Sequence, residues 1–451
     1  MRRLLLSLIC AMAAFAVVAE EPAKLTAFLD VTVVPMDEER LLTHQTVLVE
    51  NGAIAAIGPA ATVTVPEGVR RIEGHGAYLM PGLADMHTHV TAREDLGLLV
   101  ANGVTAMLQM GRAPPGMVDK GRERIAAGTL VGPRLFFAFM VDGTRDYSEF
   151  FVENADEARS VVRLAKTNRY DFIKVYNSVT KPEFEALIDE GRKLGIPVIG
   201  HAVRAEGVGL PHGLEMGQMM VAHAEEFVYT AFDNGTDESK IPEVVEAVRR
   251  TGAYVTATLS TFESIVRFWG KPAEVASALK DPEALYLSPE ERVGWQASDY
   301  QFRPLDKVPM LTGYLTFQRH LVKALAEAGV PLLTGTDTPT VPGLVPGFSL
   351  YGELAALSRA GLSNYQALAA ATKVPGEFIL KAHPDAAHFG QVAVGMRADL
   401  LLVSGNPLEK LEAVKHLLGV MADGRWFARK DIDDLLEKRK QHYLHLDQMP
   451  E

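Results

Sequence analysis

The stretch Leu79-Met80-Pro81-Gly82-Leu83-Ala84-Asp85-Met86-His87-Thr88-His89-Val90 decides how the rest of the chain is read. An apolar run turns at Pro-Gly, resumes as a short strand and ends in two histidines one residue apart. On a strand, side chains at i and i+2 leave the same face. Two neutral imidazoles at that spacing suit one divalent cation, most simply zinc. Taken alone, His-x-His is as readily a solvated loop. What decides is whether other segments supply partners.

Downstream, strand-like apolar runs alternate with helical patterns. The runs are Ala84–His89, Val104–Met110, Arg134–Met140, Phe172–Tyr176, Pro197–Val203, Met219–Ala224, Tyr254–Leu259 and Pro331–Asp337. Helix starts are marked at Thr180-Lys181-Pro182-Glu183 and Ser288-Pro289-Glu290-Glu291, each a capping residue with Glu three positions on. Eight strands alternating with helices predict an α/β fold, a (β/α)8 TIM-type barrel, although one doubly wound sheet has the same local pattern. The connection from Ser260 to about Thr312 is too long for a plain loop and carries Phe262, Phe268, Trp269, Tyr286, Trp295 and Tyr300. It predicts a helical insertion, its aromatics either facing the site or forming a core of their own.

Upstream and at the far end the style changes to short strands. Thr46–Gly58 is two apolar segments around Asn51-Gly52, a strong hairpin signal, and Gly419–Phe427 repeats it around Asp423-Gly424. Neither group has enough strands for a stable sheet. A small β-sandwich domain built from both ends, with the barrel inserted between, is the economical expectation. The division expected is a signal peptide over 1–19, the first part of the sandwich over 20–80, the barrel over 81–384, and the second part with a C-terminal helix over 385–451.

The chain has 451 residues, 48% of them hydrophobic, ample for such a core. Met1-Arg2-Arg3, the apolar run Leu4–Val18 and small residues up to Ala19 describe a cleavable secretory signal, hence a secreted or periplasmic protein. An uncleaved anchor is the alternative, but the run is shorter than the ~20 residues a span needs. Cys10 is the only cysteine and lies inside that signal, so disulfides and cysteine nucleophiles are excluded from the mature chain. A net charge of −12 argues against nucleic acid as partner. A small-molecule substrate is expected, and the sequence leaves open whether copies associate into a homo-oligomer.

Polar residues fall where a barrel keeps its chemistry, at the C-terminal ends of strands. Strand one ends with His87 and His89, strand four holds Lys174 in an otherwise apolar run, strands five and six end at His201 and His223, and strand eight ends at Asp337. Singly, each histidine suits a core, Lys174 a snorkelling surface position and Asp337 a helix cap. Five strands ending in ligand-type residues are much harder to dismiss.

Those residues resemble the amidohydrolase superfamily of metal-dependent hydrolases, most of all the branch of imidazolonepropionases and prolidase-like dipeptidases. The similarity rests on Pro81–His89, Ile173-Lys174-Val175-Tyr176, Gly200-His201, His223-Ala224-Glu225, Thr334-Gly335-Thr336-Asp337, Gly395–Leu400 and Gly405-Asn406-Pro407-Leu408. It implies two divalent ions, with zinc, manganese and cobalt all open. His87, His89 and Asp337 would hold the more buried ion, His201 and His223 the other, and Lys174, carboxylated by carbon dioxide, would bridge them. A metal-bridging hydroxide would attack an amide of a dipeptide or N-acyl amino acid, with Asp337 as general base. Ester, lactone or cyclic-amide hydrolysis uses the same machinery, and a non-catalytic scaffold is the rival from another class. Two departures stand out. Phe139–Thr144 lacks the histidine that prolidase-like relatives often place after strand three. Tyr229 matches a substrate-contacting tyrosine of the family, though it could equally serve packing. His212, His320 and His383 fit no ligand position.

Overall fold

The computed structural model describes residues 25–446 apart from Tyr147 and Glu149, so the expected signal and Cys10 lie outside it. Eight parallel strands form the barrel wall: β1 (Leu83–Thr88), β2 (Val104–Gln109), β3 (Arg134–Asp142), β4 (Phe172–Val175), β5 (Val198–Gly200), β6 (Met220–Ala222), β7 (Tyr254–Thr256) and β8 (Leu332–Leu333). They pair in chain order, and the ends are joined by backbone hydrogen bonds from Met86 to Thr334, from Thr336 and Asp337 to His87, and from His89 to Thr338, 2.7–3.1 Å long. This is the α/β barrel expected, and the doubly wound alternative is excluded.

Alternate residues of these strands fill the interior with Ala84, Met86, Leu108, Phe172, Ile199, Met220 and Leu333. Phe378 from the helix Lys373–Ala382 stacks on Phe172 at 5.3 Å and closes the end away from the ligand residues. The other face of the strands, with Val104, Met107, Phe137, Val221 and Val255, packs on the surrounding helices. Both capping boxes form: the Thr180 and Ser288 backbone N–H groups donate to Glu183 and Glu291, each at 2.7 Å.

β8 is far shorter than the run Pro331–Asp337 suggests. From Thr334 onward the chain leaves β7 and bonds instead to β1 and to Ala370, which turns Asp337 toward His87. Asp337 takes a left-handed backbone, φ 55°.

The two ends of the chain build one mixed sheet of eight strands, including Leu25–Val33, Leu42–Glu50, Ala53–Pro59, Tyr78–Pro81, Leu400–Val403, Leu417–Ala422 and Arg425–Ala428. Leu25–Val33 carries register shifts between Phe28 and Val33, and its two halves pair with different strands. The sheet thereby folds over on itself as a small sandwich. Phe28 and Trp426, four strands apart in the sheet, meet edge to face at 5.2 Å. Both hairpin turns are as the sequence predicts: Asn51-Gly52 and Asp423-Gly424 all have positive φ, the geometry of a two-residue hairpin loop. They abut one another, with the Gly424 Cα side against Gly52. Tyr78–Pro81 pairs with Leu400–Val403 and runs through Gly82 directly into β1, so the first ligand strand is rooted in the sandwich.

The insertion is helical: Leu259–Phe268, Pro272–Ala278, Pro289–Gln296 and short 3-10 turns precede the long helix Val308–Glu327. Its aromatics divide. Phe268 and Trp295 are buried in a local core with Tyr286 packed on it, whereas Phe262 and Tyr300 line the cavity over the barrel mouth. Among the described residues no helix is long and apolar enough to cross a membrane.

Candidate metal centre

Six residues singled out in the sequence meet at the C-terminal mouth of the barrel. Asp337 Oδ1 lies 3.2 Å from His87 Nε2 and 3.1 Å from His89 Nε2, and all three ligand atoms fall within 4.8 Å of one another. Lys174 Nζ, 1% exposed, is 3.4 Å from both of those nitrogens. The His223 ring stands 4.5 Å from His87 and 4.9 Å from His201, whose other face meets Tyr176 at 4.1 Å.

Hydrogen bonds fix which nitrogen each imidazole offers. Thr258 donates its single hydroxyl hydrogen to the Ala257 carbonyl at 2.8 Å. Its oxygen must therefore accept from His223 Nδ1, 2.6 Å away, which leaves Nε2 bare. Glu226, 1% exposed, accepts from His201 Nδ1 at 2.7 Å and does the same for that ring. An imidazole whose second nitrogen is tied to a carboxylate or hydroxyl is the usual arrangement of a metal-ligating histidine.

Electrostatics point the same way. Burial holds His87, His201 and His223 well below the usual histidine range, with the Lys174 charge adding for the first two and His201 for the third. Neutral rings are the form that binds a cation. Burial draws Lys174 down to about 8. Burial alone would raise Asp337, but hydrogen bonds from His87 and His89 hold its carboxylate well below the normal range. Converging bare nitrogens, a carboxylate and neutral imidazoles fit a divalent ion.

Asp85 makes the cluster rigid. Fully buried, it accepts from Thr336 Oγ1 at 2.7 Å, Thr336 N at 3.1 Å and His87 N at 3.3 Å, clasping β1 to the segment that carries Asp337. Burial pushes its pKa up to about 7. Its place two residues before His87 was the available signal, since period-two spacing joins it to the histidine pair. Thr258 and Glu226 had no such signal.

The cavity above these residues measures about 470 Å3. Its wall includes Arg112, Met140, Tyr176, Glu225, Phe262, Tyr300 and Gln318. Met140 occupies the region where the histidine after strand three is missing. Tyr229 is not among the lining residues: it lies in the π-helical turn Phe227–Ala231, under the Arg204 guanidinium at 5.1 Å and 6.4 Å from the Tyr314 ring. His212 and His320 pair with surface glutamates, and His383 packs on the edge of Phe172.

Barrel, mouth cavity and His/His/Asp cluster together define a metal-dependent hydrolase. The chain belongs to the amidohydrolase family, whose model matches residues 78–427. Among solved structures, a bottromycin amidohydrolase is 26% identical with a TM-score of 0.73, over 93% of this chain and 91% of its own. A prolidase complexed with N-methylphosphonate-L-proline is 20% identical, TM-score 0.67, over 90% and 100% of the two chains. The A. niger ochratoxinase is 19% identical, TM-score 0.66, over 90% and 96%. No curated protein sequence matches.

Proposed function

We propose that this protein is a binuclear amidohydrolase cleaving the amide bond of a dipeptide or N-acyl amino acid. The observation that carries the reading is the meeting, at one barrel mouth, of four imidazoles, three of them buried, with a buried lysine and a carboxylate from different strands. His87, His89 and Asp337 would hold one ion, His201 and His223 a second, with Lys174, as its carbamate, between them. When bound, such ions supply Lewis acidity toward the scissile carbonyl and a water acidified enough to act as nucleophile.

The protein's own groups do the rest. Thr258 and Glu226 keep the Nε2 lone pairs of His223 and His201 turned inward. Asp337 takes the proton of the attacking water on its carboxylate and returns it to the departing amine, which would otherwise leave as an unstable anion. Thr340 Oγ1 donates to the Asp337 carbonyl at 2.5 Å and so holds the turn that presents that carboxylate. Phe262, Ile265 and Val341 make an apolar wall that limits water around the amide.

Elemental analysis with a substrate screen tests this reading. Purified protein should carry about two divalent ions per chain, and chelation should abolish release of amine from dipeptides or N-acyl amino acids until metal returns. A metal-free active enzyme, or a metal-loaded inert one, contradicts it. The Arg2-Arg3 and apolar leader support export, checked by amino-terminal sequencing of the mature protein, expected to begin at Glu20.

A further inference from the structure

The long helix Val308–Glu327 buries seven residues, and six of them are apolar: Leu311, Leu315, Phe317, Leu321, Val322 and Leu325. The seventh is Gln318, 1% exposed. It falls in one inward row with Leu311, Leu315, Val322 and Leu325, at steps of three and four residues. A carboxamide in such a row needs partners, because burying it unpaired costs free energy. The Gln318 amide nitrogen makes no hydrogen bond with any described residue.

Gln318 is instead part of the wall of the cavity over the barrel mouth. Phe262 and Ile265, from the helix Leu259–Phe268, line the same cavity, and Phe262 packs on Leu311 and Leu315 of the long helix. Two hydrogen bonds hold the shorter helix in place against the metal centre. Thr261 Oγ1 donates to the Thr336 carbonyl at 2.9 Å, one residue before Asp337. Thr258, just ahead of the helix, accepts from His223 Nδ1 at 2.6 Å. The wall made by the two helices is thereby fixed relative to the reacting atoms.

No charged residue of either helix lines the cavity. Glu263 and Arg319, one from each, bond one another at 2.7 Å away from it. This side of the cavity therefore offers apolar surface and one neutral amide whose nitrogen is uncommitted.

We propose that Gln318 is a specificity residue whose amide pairs with an uncharged hydrogen-bonding group, a phenol or a carboxamide, on an otherwise apolar side chain of the substrate. This rests on the amide-hydrolase reading and adds to it the chemistry of the side chain. Phe262 and Ile265 cover the apolar stem, and a charged side chain would lose its hydration there with no counter-charge on either helix. Gln318 serves as donor or acceptor, because its terminal torsion is broad and a half-turn exchanges nitrogen for oxygen. An unpaired amide in a packing row lowers stability, a cost that a binding residue carries and a packing residue does not.

The test uses metal-loaded enzyme and varies one residue in three series: as the amino-terminal residue of a dipeptide with leucine, as its carboxyl-terminal residue, and as an N-acetyl amino acid. Tyrosine is compared with phenylalanine and glutamine with methionine, pairs close in size that differ in the polar group. In at least one series a polar member should be preferred over its apolar mate by about 5- to 100-fold in kcat/KM, the range for pairing a buried polar group. The pair that responds tells a phenol from a carboxamide. Gln318→Met, of matching length, should remove that preference with full metal content and a melting temperature that does not fall. Equal cleavage within both pairs in every series overturns the proposal and leaves the amide reading intact. So does a Gln318→Met variant that keeps the wild-type preference; a lower melting temperature with that preference kept assigns the amide to the packing of the protein itself. Hydrolysis of no compound in any series defeats this inference together with the reading it rests on.

Discussion

Asp337 carries two duties with one side chain, and its surroundings say which would fail first. Its Oδ1 is shared between His87 and His89, and Thr340 holds the turn that presents it. Asp337→Asn preserves shape but removes the charge and the basicity. Turnover should fall by several orders of magnitude with the fold retained by circular dichroism; near-normal turnover in a folded, metal-loaded variant would rule out the proton-shuttle role. Lys174 is the sharper probe of a bridged pair. Its Nζ is equally near two imidazole nitrogens, 3.4 Å from each. Lys174→Ala should lose metal and most activity, and added formate or propionate should restore part of both by supplying a carboxylate in the vacated space. Lys174→Arg should be inert with or without them, because a guanidinium stays cationic. Rescue of the Arg variant would refute the carbamate. All six of these residues could be picked out from their places on the strands, and the family resemblance supplied their ligand roles. Their supports could not be picked out so: Thr258 reaches His223 across 35 residues, Glu226 reaches His201 across 25 and Asp85 reaches Thr336 across 251. Local pattern carries no record of such pairings.

At the scale of elements, the strands were legible as segments and the shortest were misjudged in length. Pro331–Asp337 reads as one strand, yet only Leu332–Leu333 stays in the ladder. An apolar run is readable from sequence, whereas the point at which it changes hydrogen-bonding partner depends on the neighbouring strand. The insertion shows the same division: its helices follow from caps and prolines, but its docking does not. Trp295, 2% exposed, donates its indole N–H to the Pro339 carbonyl at 3.1 Å, tying the insertion to the loop that follows Asp337. Pro339 is itself part of the cavity wall. Trp295→Phe keeps most of the packing and loses that tether. A net hydrogen bond of about 0.5–1.5 kcal/mol predicts a rise in KM of roughly 2- to 12-fold, with metal content unchanged. An unaltered KM would mean that the insertion holds its position by apolar contact alone.

At the scale of the molecule, the C-terminal helix Arg429–Leu446 is fastened to the barrel by a buried pair. Arg439 bonds Asp95, with 5% and 0% of the two residues exposed, and Tyr443 adds its hydroxyl at 3.3 Å beneath the Arg439 guanidinium. Asp95 lies in the turn after His89, so the helix braces the loop of the first ligand strand. Arg439→Met would strand a buried carboxylate and should lower stability by about 3–5 kcal/mol. Adding Asp95→Asn should return most of it, read as thermal midpoints in a double-mutant cycle; no recovery would assign the loss to packing. The sandwich has a further consequence, in time rather than space. Leu79 pairs with Leu402, and the turn at Gly52 rests on the turn at Gly424. A chain emerging from a ribosome at ~5–20 residues per second makes the earlier partner tens of seconds before the later one exists. Through that interval the first hairpin has only the other amino-terminal strands to pair with, and the strand leading to His87 lacks its neighbour Leu400–Val403. The sandwich is therefore completed only after the whole barrel has been made, and its earliest strands wait longest for their full set of neighbours.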